Sequence, residues 1–117
     1  MLHLKNYIDG AFVEAHDGQT LEDINPANGQ VIATIPRSKS SDVESAAVAA
    51  KKAQSGWNAT PMAERITWLE TIADALESKH EQIAQAESLD TGKPISLARR
   101  VDASRSVENF RFFASFA

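Results

Sequence analysis

Glu87-Ser88-Leu89-Asp90-Thr91-Gly92-Lys93-Pro94 ends the longest periodic stretch of the chain. Upstream of it Met62, Ile66, Leu69, Ile72, Ala73, Leu76, Ile83 and Leu89 recur near a 3.6-residue spacing, which marks one apolar helical face. Thr91-Gly92-Lys93-Pro94 stops the pattern with the residues that most readily terminate a helix. At the other end Thr60-Pro61 starts it, with Thr60 as N-cap and Pro61 at the first helical position. The spacing therefore predicts one long helix over this region.

Working outward, a further helix fits Ser96 to the C-terminal residue. A first helix begins at Ser41-Asp42-Val43-Glu44, which reads as a capping box with Glu44 reaching back to the cap. Val43, Ala47, Ala50, Gln54 and Trp57 then fall near one alanine-rich stripe, so this helix is expected to pack closely against a neighbour. Before residue 38 the pattern changes to short alternating runs. Asn6-Tyr7-Ile8 and Ala11-Phe12-Val13 flank Asp9-Gly10, a strong hairpin signal. Thr20 to Ile24 and Gln30 to Ile35 alternate again, separated by Asn25-Pro26-Ala27-Asn28-Gly29, where a strand cannot continue. The expected class is α+β: residues 1–37 as three or four antiparallel strands and turns, residues 38–117 as three helices.

Composition removes several functions. The net charge is -4, and Arg99-Arg100 is a pair rather than a basic patch, so no nucleic-acid partner is expected. No apolar run approaches the roughly 20 residues that span a bilayer, and no membrane partner is expected. Met1-Leu2-His3-Leu4-Lys5 enters a strand pattern at once and does not read as a signal peptide. The absence of cysteine excludes disulfides, thiolate metal sites and a thiolate nucleophile within these residues, and fits a cytoplasmic protein.

Few constellations could carry chemistry. His3, His16 and His80 show no metal-ligand spacing. Gly92-Lys93 is not a phosphate loop, because Glu87 and Pro94 stand where that loop needs glycine and a hydroxyl residue. Glu77, Glu81 and Glu87 read most simply as the solvated face of the long helix. The C-terminal segment is the unusual one. Phe110, Phe112, Phe113 and Phe116 spread around most of a helix circumference, and such a helix expects burial on most sides. Either it self-associates or further protein covers it.

Taken together and in order, Tyr7-Ile8-Asp9-Gly10, Ile24-Asn25-Pro26-Ala27-Asn28-Gly29, Ile35-Pro36, Trp57, Glu64-Arg65 and Leu89-Asp90-Thr91-Gly92-Lys93-Pro94 resemble the N-terminal quarter of an NAD(P)-dependent aldehyde dehydrogenase. The likeness covers nearly the whole chain. Arg105-Ser106-Val107-Glu108-Asn109-Phe110-Arg111-Phe112-Phe113-Ala114 is most similar to the branch acting on 2-aminomuconate or 2-hydroxymuconate semialdehyde, with the betaine-aldehyde-like group next. The resemblance implies oxidation of an aldehyde to the acid with NAD or NADP, through a cysteine nucleophile. In that pattern the cysteine, the glutamate base, the oxyanion-holding asparagine and the cofactor's glycine turn all lie beyond residue 117.

The chain is thus expected to be the N-terminal segment of the cofactor-binding domain of the larger α/β fold, with the catalytic domain absent. Alone it should be inactive and bind no dinucleotide tightly. The resemblance further implies a structural Na+ or K+ held by the main-chain carbonyls of Asp23 and Ile24 and by the Asp90 carboxylate. The alternative for Asp90 is a cap or salt bridge near a helix end. For Arg111 the resemblance implies a grip on the substrate's carboxylate, suited to its planar fork of donors. The alternatives are stacking on its aromatic neighbours or pairing with Glu108. A homo-oligomer is expected from the apolar helix and the strand edges. The competing function is a free-standing, non-catalytic module for oligomerisation or partner binding derived from the same fold.

Overall fold

Asp9 and Gly10 both adopt positive φ, 51° and 81°, so the chain reverses in two residues and closes a hairpin. Its arms are β2 (Asn6–Ile8) and β3 (Ala11–Val13), paired antiparallel with Tyr7 opposite Phe12. Those two rings lie 5.0 Å apart as a cross-strand pair. The hairpin is its own two-stranded sheet. The second sheet has the order β1-β5-β4, from β1 (Leu2–His3), β4 (Thr20–Ile24) and β5 (Val31–Pro36). The computed structural model describes all 117 residues and divides into two units, Met1–Ala59 and Thr60–Ala117.

In the first unit β4 and β5 pair antiparallel, with a bulge at Asp23/Ile24. The turn joining them is organised by Asn25, which is buried at 7% exposure. Its carbonyl accepts the Gly29 N–H at 2.8 Å, and its side-chain oxygen accepts the Ala27 N–H at 2.9 Å. β1 adds to the far side of β5 in parallel, Leu2 opposite Ala33. The strands-then-helices order is as expected, but five strands form, and one of them joins parallel. Alternation reports which face a side chain takes, not the direction of the neighbouring strand.

Helix α1 (Ser40–Ala59) starts earlier than the capping-box reading placed it. Lys39 becomes the residue before the helix, and Asp42 takes the role expected of Glu44. Asp42 Oδ2 accepts the Lys39 N–H at 2.8 Å, and Oδ1 accepts the His16 N–H at 2.8 Å. One carboxylate therefore caps the helix and pins the β3–β4 connection to it. The Lys39 N–H, helped by the His16 N–H, holds the Asp42 carboxyl below its usual range against the opposing effect of burial. Asp42 is the one buried residue of α1. Val43, Val48 and Trp57 stay exposed, so the close packing expected of this helix does not occur within its own unit.

The second unit holds α2 (Met62–Ser78), α3 (His80–Thr91), α4 (Ile95–Leu97), a π-helical segment (Ala98–Ala103) and α5 (Ser104–Phe116). Pro61, not Thr60, stands at the cap of α2, one position from the expectation. The single long helix is in fact two, broken at Lys79, whose φ of -109° leaves the helical well. The apolar stripe stays in phase across the break, so periodicity could not reveal it. Tertiary packing imposes it: α2 lies against α5, whereas α3 lies against the π-helical segment.

Gly92 ends α3 in the left-handed conformation, φ 71°, with its N–H on the Ser88 carbonyl. The wider turn of the π-helical segment then presents Arg99 to Glu81 on α3 as a two-pronged pair, at 2.8 and 2.6 Å. Small residues let these helices approach: Ala73, Ala84, Ala98 and Ala103 are all at 0% exposure. Ile83 and Ile95 pack around Ala84, Ala98 and Ala103.

Two outcomes are expected. Ala84→Leu overpacks the α3 contact and costs ~1–3 kcal/mol in urea denaturation, whereas Ala47→Leu on exposed α1 stays within ~0.5 kcal/mol of the parent. Glu81 is drawn from its ordinary 4.5 to about 2, first by Arg99 and then by the Gln85 amide. Its folded pKa is the lower one, so its stabilisation is complete above about 4.5 and is lost as pH falls towards about 2. A carboxyl titration followed by NMR should place Glu81 there, and Glu81→Gln should flatten the acid limb of the stability curve.

Candidate functional site

Four acidic residues, Glu70, Asp74, Glu77 and Glu81, recur at four-, three- and four-residue steps, so the helical repeat places them along one side of α2 and onto α3. The side they share is not simply solvated. Glu81 holds Arg99, and the other three converge on Arg111 from α5. Arg111 Nη1 donates to Glu70 Oε2 at 3.0 Å. Nη2 lies 3.0 Å from Asp74 Oδ1 and donates to Glu77 Oε2 at 2.7 Å. Antiparallel packing of α2 and α5 brings these groups together; just beyond α2, the His80 ring at the start of α3 lies 3.3 Å from the Ser104 hydroxyl at the start of α5.

Three carboxylates around one guanidinium leave a local excess of negative charge. Asp74 is the largest of the influences that raise the Arg111 pKa, followed on the same side by Glu77 and Glu70, with burial opposing. Arg111 is therefore always charged, and its partners lie across the helix pair. Neither alternative drawn from the sequence, stacking on phenylalanine or pairing with Glu108, describes its ion-pair partners.

The aromatic residues take another side of α5. Val107 and Ala114 face inward at 7% and 3% exposure. Phe112, Phe113 and Phe116 are exposed at 54%, 63% and 77%. Phe112 contacts both other rings, with centroids 5.3 Å from Phe113 and 5.1 Å from Phe116. They form one external aromatic cluster.

Glu87, the third carboxylate first assigned to solvent, is instead part of the motif that ends α3. Lys93 Nζ donates to Glu87 at 2.7 Å and to Asp102 of the π-helical segment at 2.9 Å. Glu87 first, then Asp102, raise the Lys93 pKa. The Ser88 hydroxyl donates to the Lys93 carbonyl at 2.7 Å. Lys93 thus ties the end of α3 to the next helical segment. The spacing of acids and bases in sequence carries no hint of these pairs, since Lys93 stands in the turn after α3 and reaches back to Glu87 and on to Asp102 of the π-helical segment.

The proposed ion donors fall in both units. Asp23 and Ile24 flank the bulge in β4 of the first. Asp90 is exposed in the last turn of α3 in the second. No group of three or more His, Asp or Glu side chains is gathered as a metal site. No helix is long and apolar enough to cross a membrane.

Comparison with known proteins bears on the family and the fold. The model of the aldehyde dehydrogenase family matches residues 12–117. The 2-hydroxymuconic semialdehyde dehydrogenase of Pseudomonas sp. (strain CF600) is 43% identical over 115 residues, covering 97% of this chain and 24% of that protein. The human 2-aminomuconic semialdehyde dehydrogenase is 42% identical over 115 residues, covering 98% of this chain and 23% of that protein. Among solved structures, the NAD+ complex of an aldehyde dehydrogenase from Bacillus cereus superposes with a TM-score of 0.93 at 37% identity, over 97% of this chain and 23% of its own. The chain thus spans about a quarter of the length of the curated relatives it matches. With a family model covering all but the first 11 residues and a fold shared with a solved member, the chain belongs to the aldehyde dehydrogenase family.

Proposed function

We propose that this chain is the N-terminal segment of an NAD(P)-dependent enzyme that oxidises a carboxylate-bearing semialdehyde of the muconate type to the acid. The observation that carries this reading is the even likeness, 43% and 42% identity over 115 residues, to semialdehyde dehydrogenases of that type. A bound nicotinamide dinucleotide would supply the hydride acceptor. The residues here have other work. Arg99 on Glu81 and Lys93 on Glu87 and Asp102 lock the helices of the second unit. Arg111 is the group this segment would offer to the substrate's carboxylate, through the paired N–H donors of its fork.

Two finer assignments belong to the same proposal. The bulge at Asp23/Ile24 takes that stretch out of regular strand pairing, which supports the two carbonyls as oxygen donors to a structural Na+ or K+. Asp90, exposed near the end of α3, is the proposed carboxylate donor. The external cluster of Phe112, Phe113 and Phe116 supports an assembled protein, taken as a cytoplasmic homo-oligomer. The same cluster is what a free-standing binding module would use, and the mass of the native polypeptide, detected with an antibody to this segment, separates the two readings.

The isolated chain is expected to oxidise no aldehyde; NAD-dependent turnover by homogeneous protein of this length would overturn the reading. In the complete enzyme, Arg111→Gln is expected to raise the ratio of KM values for 2-hydroxymuconic semialdehyde over an uncharged aliphatic aldehyde by ~10- to 100-fold, the range for losing charge-assisted hydrogen bonds. A ratio that does not move would remove Arg111 from the substrate site.

A further inference from the structure

Arg65 is the exception among the arginines. Arg99 and Arg111 hold carboxylates, and Arg37, Arg100 and Arg105 stand in water. Arg65, near the start of α2, is half-buried, and its Nε–H is shut off from solvent without an acceptor. Its own helix offers none. The side chains one turn away are Pro61, Met62, Trp68 and Leu69. Glu64 is its neighbour in sequence and faces another way, and Glu70 is committed to Arg111. A cation near a helix N-terminus also gains nothing from the helix dipole. Leaving a charged donor enclosed and unpaired costs more than its hydrogen bond contributes when made, so such a group marks a missing partner.

The surface around Arg65 has the matching character. Met62, Trp68 and Ile72 stand three residues before it, three after and seven after, so they share its side of α2. They are exposed at 47%, 52% and 40%. Methionine, tryptophan and arginine are the residues enriched where proteins meet, with apolar groups surrounding a polar anchor. We propose that this strip of α2 is the seat of a later segment of the same polypeptide. That segment lays apolar side chains on Met62, Trp68 and Ile72 and brings an oxygen acceptor to Arg65 Nε. The proposal rests on the reading of this chain as an N-terminal segment. The chain covers 24% and 23% of the length of its relatives, so in a protein of their kind most of the polypeptide is still to be placed. A donor already enclosed also suits a contact made once, on folding, because a transient partner would strand it at each release.

The test is hydrogen exchange of the α2 amides in the complete enzyme and in the 117-residue chain. In the complete enzyme Arg65→Met, which keeps the apolar stem and removes the donors, should speed exchange by ~10- to 100-fold, the range for losing a hydrogen bond from a charged group. Arg65→Lys keeps the charge without the Nε–H and should follow Arg65→Met. Arg100→Met, on an exposed arginine, should exchange like the parent. In the 117-residue chain Arg65→Met should not speed exchange, because no acceptor is lost there. Unchanged exchange in the complete enzyme, full rescue by lysine, or equal acceleration in the short chain overturns the docking site alone. Turnover of a muconic semialdehyde by the parent would still uphold the functional reading. A native polypeptide of only the short mass overturns both. Hydroxyl-radical footprinting of the parent needs no variant: Met62 and Trp68 should lose in the complete enzyme the oxidation they show in the short chain. Equal oxidation in the two would overturn the proposal. Protection of Met62 in the short chain that grows with its concentration would assign the strip to a second copy and overturn it too.

Discussion

The constraint on which the second unit depends is close helix approach over alanine. Ala73, Ala84, Ala98, Ala103 and Ala114 are its most buried residues, and no large side chain is fully enclosed. Alanine contributes little apolar area, so the helices gain contact by coming near rather than by interdigitating large groups. A core of this kind specifies distance well and register poorly. Register is left to the polar groups at its margin. Arg99 on Glu81, Lys93 on Glu87 and Asp102, and Arg111 on Glu70, Asp74 and Glu77 each join residues on different helical elements. The break at Lys79 follows from the same arrangement, because α2 and α3 answer to different partners.

The first unit is organised differently, by short polar contacts around turns. Asp42 caps α1 and holds the backbone at His16, and Asn25 closes the turn between β4 and β5 with its carbonyl and its side chain. Both are buried polar residues whose side-chain oxygens accept from backbone N–H groups, the arrangement that makes such burial tolerable. Large apolar side chains remain outside in both units, among them Phe12, Val43, Trp68 and Phe113. Exposed apolar surface of this extent is the kind that marks interaction sites on a protein.

Much of the fold was legible in the residues because local chemistry decides it. Asp9-Gly10 could only be a tight hairpin turn, and Gly92 before Lys93-Pro94 could only end a helix near that point. Family membership was legible too, through blocks spread over almost the whole chain. The electrostatic site was half legible. Arg111 stood out as a charge among aromatics, but its partners were misjudged, because Glu70, Asp74 and Glu77 lie 34 to 41 residues away and meet it only when α2 and α5 pack antiparallel.

What the sequence determined by itself was therefore whatever rests on a few consecutive residues: turns, the glycine-marked end of α3, the period of each element and the family those blocks mark. The tertiary structure decided the rest. It set the parallel addition of β1 to β5, the division of one helical stripe into α2 and α3, the transfer of the α1 cap to Asp42, and the conversion of an apparently solvated acidic face into the seat of Arg99, Lys93 and Arg111. The physical reason is the same each time. A backbone torsion preference is a property of neighbours in the chain, while a pairing direction or an ion-pair partner is fixed by neighbours in space.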